Sequence, residues 1–108
     1  MNKKDFAFKD LKVWQRAVDF ADYAISFTEG FDTDRKHFRL VEQFELASTS
    51  VAMNIAEGKG RNSKKEFIQY LYISKGSIYE TVMLANLFAR RGWIRKEQLE
   101  KAELDALK

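Results

Sequence analysis

A cluster of cations near the middle of the chain has the residue types that bind phosphate groups. Its four members lie in the stretch KGRNSKK and are Lys59, Arg61, Lys64 and Lys65. If a helix begins at this point, its free backbone amides and the nearby cations together attract an anion. The cluster is therefore interpreted as a contact site for an RNA or DNA backbone, without base preference, because phosphate contacts do not read sequence. A solvated turn between two helices has the same composition, and that alternative stays open.

Two other basic stretches are less informative. The sequence GKGRNS lacks the Gly-x4-Gly-Lys-Ser/Thr spacing of a nucleotide-binding phosphate loop, and it follows a helical pattern where that loop follows a strand. A second basic group flanks Gly92 and consists of Arg90, Arg91, Arg95 and Lys96. We interpret it as cations near the C-terminal end of a helix, where they complement the helix dipole.

Residues suited to catalysis or metal binding are scarce. The chain has no cysteine and a single histidine, His37, so it offers neither thiolate chemistry nor the ligand set of a zinc site. Glu57, Glu66 and Glu80 are scattered acids, and none belongs to the Glu-x-x-His pairs that hold two metals in helical bundles. We therefore expect no enzymatic activity, no metal and no cofactor.

The composition is that of one globular domain. The chain has 108 residues, of which 45% are apolar and 32% charged, with no proline and 5 glycines. Its net charge of +3 is a weak indication of anionic partners. No apolar run approaches the roughly 18 residues of a membrane span, and the N-terminus is charged where a signal peptide is apolar. We expect a soluble cytoplasmic protein with one domain over residues 1–108.

Apolar residues recur at steps of three and four, which predicts helices throughout the chain. A first helix is expected from near Asp10, whose carboxylate can cap the helix or complement the positive end of its dipole, to a stop at Gly30. A second is expected from a cap at Asp32 or Thr33 to a stop at Gly58. The inward residues are Trp14, Ala17, Val18, Ala21, Ala24, Ile25 and Thr28 in the first helix, and Leu40, Phe44, Ala47, Val51 and Ile55 in the second.

Two further helices complete the pattern. The third is expected to begin at Ser63, because Ser63 and Glu66 fit a capping box with reciprocal side-chain to amide bonds. It is expected to run to about Arg91 and to stop at Gly92. The last is expected from Lys96 to Leu107, without a good N-cap. Short connectors between four helices predict an all-α, antiparallel up-down-up-down four-helix bundle. The inward residues are Phe67, Leu71, Ser74, Ile78, Val82, Ala85 and Ala89 in the third helix, and Leu99, Ala102, Ala106 and Leu107 in the fourth.

The apolar surface of these helices exceeds what one bundle is expected to bury, because a bundle helix buries only part of its circumference. Large exposed apolar patches usually mark interfaces, so we expect a homo-oligomer. The alternative is that single aromatic residues lie on the surface of a monomer. The surplus residues are Ile68, Tyr70, Tyr72, Ile73, Tyr79, Leu84, Leu87 and Phe88 in the third helix, and Val13, Phe20, Tyr23 and Phe27 in the first.

Gly76 lies in the middle of the third helix, where glycine costs about 1 kcal/mol relative to alanine. We expect another helix to pass close to it, on the small residues of the second helix. Asn54 lies among apolar neighbours and needs hydrogen-bond partners if it is buried; Ser77 or Glu80 could supply them. A packing contact without a ligand is the preferred interpretation of these residues.

Three stretches of the sequence resemble a known family. FKDLKVWQRAVDFA is similar to its N-terminal signature, NIAEGKGRNSKKEFIQYL to its central motif, and SKGSIYETVMLA to its third-helix motif. The family consists of small four-helix-bundle proteins encoded within 23S ribosomal RNA intervening sequences, and its relatives include the accessory protein of diversity-generating retroelements. The motif positions in this chain are Trp14, Asn54, Glu57, Gly58, Gly76, Ser77 and Glu80.

The resemblance implies an antiparallel four-helix bundle that associates as a homopentamer and has no enzymatic activity. Its retroelement relatives bind nucleic acid and a reverse transcriptase. Family members commonly carry two arginines after a glutamine in the second helix, whereas here Gln43 is followed by Phe44 and Glu45. The prolines common before that helix and before the central asparagine are also absent.

Two functional hypotheses follow from the sequence. The first is a non-enzymatic homo-oligomeric bundle, a pentamer by resemblance, that binds RNA or DNA electrostatically. The second is an assembly or adaptor module whose partner is a protein and which binds no nucleic acid. The four cations at positions 59–65 favour the first, and the missing arginine pair favours the second.

Overall fold

A computed structural model describes residues 3–31 and 36–107 of the chain. Its described part consists of helices and turns. A 3-10 segment, Lys3–Asp10, precedes the α-helices, which are α1 (Lys12–Glu29), α2 (Phe38–Lys59), α3 (Lys64–Arg90) and α4 (Lys96–Ala106).

The four helices form an all-α bundle, as predicted. Helices that are consecutive in the sequence pack against one another, and α1 also packs against α4, which closes the ring of neighbours. The helices differ in length, since α3 has 27 residues and α4 has 11. Because of this difference, α4 covers only part of the length of α3.

The start of α1 differs from the prediction. Its N-cap is Leu11, which makes no side-chain cap bond, so the expected cap at Asp10 is wrong. The 3-10 segment positions the helix start instead: Phe8 packs edge-on against Trp14, with ring centroids 5.1 Å apart, and Gln15 Nε2 donates to Lys9 O at 2.9 Å. The expected cap of the second helix at Asp32 or Thr33 lies outside the described residues.

Helix α2 continues past Gly58, which contradicts the predicted stop there. The helix ends at Lys59, and the amide of Gly60 donates to the carbonyls of Ala56 and Glu57. Helical geometry persists at Gly58 because this residue packs against α3 and is itself buried. The helix therefore ends one residue later than predicted, and Gly60 is its C-cap.

The turn between α3 and α4 has the backbone bonds of a Schellman motif. Gly92 has a φ of 77°, a conformation that favours glycine. The amide of Gly92 donates to Ala89 O at 3.0 Å, and that of Trp93 to Phe88 O at 2.9 Å. At the start of α4, Gln98 Oε1 accepts from the backbone amide of Arg95 at 2.7 Å. The Gln98 side chain thereby satisfies the amide of the N-cap residue.

The bundle contains two groups of buried apolar residues. One lies where α4 covers the other helices and is built around Phe27, Phe44, Leu84 and Phe88. The other lies toward the α2–α3 turn and is built around Phe20, Val51 and Ile55.

Several assignments of inward and surplus residues were wrong. Phe20, Phe27, Leu84 and Phe88 were expected to be surplus, but all four are buried in the core. Val18 and Leu107 were expected to face inward, but they are 38% and 85% exposed. Leu107 follows the last residue of α4, Ala106, and lines an open groove beside Val13 and Ala17 of α1.

Candidate nucleic-acid and self-association surfaces

The structure places all four cations of the predicted phosphate site at the α2–α3 turn. Lys59 is the last residue of α2, and Lys64 and Lys65 begin α3. All four side chains are exposed. Ser63 caps α3 by accepting from the amide of Glu66 at 3.1 Å, which confirms half of the predicted capping box. The described residues do not contain the reciprocal bond from Glu66.

Arg61 differs from the three lysines because it binds within the chain. Its Nη2 donates to Glu57 Oε1 at 3.0 Å and to Tyr70 Oη at 2.6 Å. The guanidinium also lies 5.1 Å from the centroid of the Tyr70 ring. The interaction with Tyr70, and to a smaller extent that with Glu57, raises the pKa of Arg61. Arg61 therefore links the end of α2 to α3, and it is less available to a ligand than the lysines.

Lys59, Lys64 and Lys65 form no ion pair within the parts of the chain that the structure describes. Hereafter the term lysine corner refers to these three residues. Lys64 and Lys65 begin α3, and Lys59 ends α2 on the other side of the turn. A phosphate at this turn would gain from the cations and from the backbone amides at the N-terminus of α3.

Gly58 lets α2 and α3 approach closely beside this corner. A Cβ built on Gly58 would lie 2.6 Å from Cβ of Tyr70 and 3.0 Å from Cδ1 of Phe67. A real side chain does not fit at such distances, so the glycine is required by packing. The resemblance places Gly58 among the family's motif residues, and this contact gives the physical reason for it.

Gly76 has the opposite environment. A Cβ built on Gly76 would meet nothing within 4 Å, and the residue is exposed. The expectation that a helix of the same chain passes close to it is therefore wrong. Nothing within the described bundle explains a glycine at this position.

Large apolar side chains surround Gly76 on the outward face of α3. This face, called the α3 stripe hereafter, consists of Ile68, Tyr72, Gly76, Tyr79 and Met83, whose spacing of three and four places them on one side of the helix. Their side chains other than Gly76 are 50%, 68%, 65% and 56% exposed. The stripe lies opposite the residues of α3 that are buried in the core. Exposed apolar residues that form a continuous patch usually mark an interface.

A polar network joins α2 to α3 inside the bundle. Asn54 Nδ2 donates to the carbonyl and to the hydroxyl of Ser50, both at 2.8 Å, and Ser50 Oγ lies 2.9 Å from Ser77 Oγ. Ser74 Oγ donates to Val51 O at 2.9 Å. Ser77 is thus linked to Asn54 through Ser50, whereas the expected direct contact is not made.

Glu80 has a different partner from the one considered in the sequence. Its Oε1 accepts from Gln43 Nε2 at 2.9 Å, so it bridges α3 to α2 and does not bind Asn54. Trp14, the remaining motif residue, is partly buried and packs against the core group of Phe20, Val51 and Ile55. These contacts account for Asn54, Ser77, Glu80 and Trp14 through packing, without a ligand.

Across residues 3–31 and 36–107 there is no group of three or more His, Cys, Asp or Glu side chains that could hold a metal ion. No helix in the same ranges has the length and apolar content needed to cross a bilayer.

Comparisons with known proteins give one result for nearly the whole chain. The family model described as 23S rRNA-intervening sequence protein matches residues 9–108. No curated protein matches the chain.

Proposed function

The chain belongs to the family of 23S rRNA-intervening sequence proteins, and from this premise we propose that it is a non-enzymatic helical bundle that self-associates and binds RNA or DNA. The proposed assembly is a homopentamer, as the family resemblance implies. The proposed nucleic-acid site is the lysine corner at the α2–α3 turn.

The observation that carries the nucleic-acid proposal is the set of three exposed lysines at the α2–α3 turn, which form no ion pair with any described residue. Lys59, Lys64 and Lys65 attract a phosphate backbone, and the N-terminus of α3 adds the positive end of its dipole. One such corner is a weak site because exposed charges are screened by salt. In a symmetric assembly the corner is repeated, and repeated weak sites on one flexible strand strengthen binding through a raised effective concentration.

Self-association is supported by the α3 stripe. Four large apolar side chains are each at least half exposed along one helix face, although Phe20, Phe27, Leu84 and Phe88 proved to be core residues. The surplus of apolar surface is therefore smaller than the sequence indicated. Among the described helices, α3 carries the most exposed large apolar side chains.

An adaptor function without nucleic acid is the second candidate, and two observations favour it. Arg61 is engaged by Glu57 and Tyr70, which reduces the predicted phosphate site from four cations to three. Gln43 and Glu80 bind each other on the face where related proteins commonly carry two arginines. These contacts lower the positive potential of α2.

Binding of labelled RNA and DNA over a range of salt concentrations tests the proposal. The triple variant Lys59→Glu, Lys64→Glu, Lys65→Glu keeps Arg61, so that the contact between α2 and α3 is preserved. Each phosphate contact contributes about 0.7 to 0.9 to the slope of log K against log salt. The variant removes up to three such contacts, and the slope is expected to become shallower by their combined contribution.

The matched control is Arg91→Glu, Arg95→Glu, Lys96→Glu, which makes the same change in net charge at the α3–α4 turn. It is expected to retain most of the binding. An equal loss in both variants would show that net charge, and not the lysine corner, determines affinity. If the unmodified protein binds neither nucleic acid at low salt, the adaptor function replaces the proposal.

A further inference from the structure

We propose that the α3 stripe of one copy binds the outward face of α4 of a second copy, with the α4 helix passing directly over Gly76. This inference rests on the proposed self-association and specifies the surfaces that carry it. It is drawn from the exposure, shape and charge of the two faces.

The shape of the α3 stripe fits a helix. Gly76 lies between Tyr72 and Tyr79, each one turn away, so the missing side chain leaves a notch bounded by aromatic rings. The notch is open, since a Cβ at Gly76 would meet no atom within 4 Å. Glycine in the middle of an exposed helix is unfavourable, and close approach of a second helix is a recurrent reason for it.

The charges beside the stripe indicate an acidic partner. The exposed side chains of Lys65, Lys75 and Arg90 lie on the same side of α3 as the stripe by helical spacing. Of the acids of α3, Glu80 borders the stripe one turn from Gly76 but binds Gln43 of α2, and Glu66 is one turn from Tyr70, which packs on Gly58. The cations beside the stripe therefore outnumber its acids. Two α3 stripes facing each other would therefore bring like charges together, which disfavours a contact of the stripe with itself.

The outward face of α4 has the complementary chemistry. By helical spacing it lies opposite the buried Ala102 and carries one exposed leucine, Leu104 at 57%. The exposed charged residues of this face are the acids Glu97, Glu100 and Glu103 and the cation Lys96, so the acids predominate. Lys101 does not reduce the negative charge of this face, because its Nζ lies 3.8 Å from the centroid of the Tyr23 ring and 3.8 Å from Asp105.

The two surfaces lie on different helices of each copy, so the contact is heterologous. Each copy that binds through its stripe keeps its own α4 face free for another copy. Further copies can therefore be added one after another until a ring closes. This geometry agrees with the proposed cyclic assembly and not with a two-fold dimer.

Sedimentation equilibrium of the full chain and three sets of variants tests the inference. Gly76→Gln fills the notch with a good helix former and is expected to weaken association at least about ten-fold, without lowering the melting temperature of the bundle. Ser26→Gln, which adds similar bulk at an exposed position of α1, is the matched control and is expected to associate as the unmodified protein does.

A charge exchange gives an independent readout. Lys75→Glu alone and the pair Glu100→Lys, Glu103→Lys are each expected to weaken association, and combining the three changes is expected to restore part of it. Restoration is expected only if the two faces meet in the assembly. If each change merely destabilised the bundle, the losses of association would add to one another.

The outcomes separate this inference from the function on which it rests. If the unmodified protein self-associates but neither Gly76→Gln nor the charge variants change its association constant, the interface lies elsewhere and this inference is wrong. If Gly76→Gln lowers only the affinity for RNA, the stripe is a base-stacking surface and the inference is also wrong. A protein that is monomeric at all concentrations overturns both proposals.

Discussion

Gly58 of α2 lies directly against Tyr70 of α3, so closely that a Cβ on the glycine would stand 2.6 Å from Cβ of the tyrosine. The same tyrosine binds Arg61 through its hydroxyl. This one contact sets the spacing of α2 and α3 at the turn and orients the arginine beside the lysine corner.

Gly58→Ala and Gly76→Ala are expected to change stability in opposite directions. At Gly58 the new methyl group overlaps Cβ of Tyr70, which cannot rotate away, and overpacking of this kind costs about 1–3 kcal/mol. At Gly76 the methyl group meets no atom of the chain, so better helix propensity stabilises the bundle by up to about 1 kcal/mol. Urea unfolding of the two variants under identical conditions measures both changes. Equal effects at both positions would contradict the contact.

The hydrogen bond from Ser74 to Val51 is expected to contribute to stability because it is buried between two helices. Ser74→Ala leaves the Val51 carbonyl without this donor and is expected to cost about 1 kcal/mol. Ser26→Ala removes a hydroxyl that bonds locally to Tyr23 O on the exposed side of α1 and serves as the control, with little change. Thermal unfolding followed by circular dichroism compares the two, and equal melting temperatures would show that the buried bond contributes nothing.

Phe44 is expected to be a major determinant of core stability. It is fully buried and contacts Phe27 and Phe88, with ring centroids 6.1 Å and 5.0 Å away. Phe44→Ala is expected to cost about 3–5 kcal/mol. Phe38→Ala, on the same helix but 61% exposed, is expected to stay within about 0.5 kcal/mol. A similar loss in both variants, measured by urea unfolding, would be inconsistent with the core described above.

Arg61 and Lys65 are expected to differ in their effect on nucleic-acid binding. Lys65→Gln removes a free cation and is expected to lower the salt slope of RNA binding by about 1. Arg61→Gln removes a cation already bound to Glu57 and Tyr70, so it is expected to leave the slope nearly unchanged and to lower the melting temperature slightly. Fluorescence anisotropy with labelled RNA measures the slopes, and a larger effect of Arg61→Gln would reverse the assignment.

Much of the fold could be predicted from local signals. The regular spacing of apolar residues gave the four helices and the bundle class, and Ser63 and Gly92 marked two helix ends correctly because caps depend on neighbouring residues alone. Gly58 was misassigned because a glycine that ends a helix and one that admits a neighbouring helix look the same in a sequence. The second reason depends on Tyr70, twelve positions further along the chain.

The candidate surfaces were predicted less completely for a related reason. The positions of Lys59, Lys64 and Lys65 near a helix start could be inferred, but the bonds that occupy Arg61 depend on how α2 and α3 pack. The sequence pattern predicts a single inward stripe for α1 and so leaves Phe20 and Phe27 outside it. In the bundle α1 packs against both α2 and α4, and its buried surface is wider than one stripe. The exposed environment of Gly76 could not be inferred from the sequence, because it depends on the positions of all four helices.

The molar mass of the protein in solution tests the central claim of self-association most directly. Light scattering coupled to gel filtration at micromolar concentration is expected to give a multiple of 12.7 kDa, five-fold if the assembly is the proposed pentamer. A single species of 12.7 kDa at every concentration measured would contradict the claim.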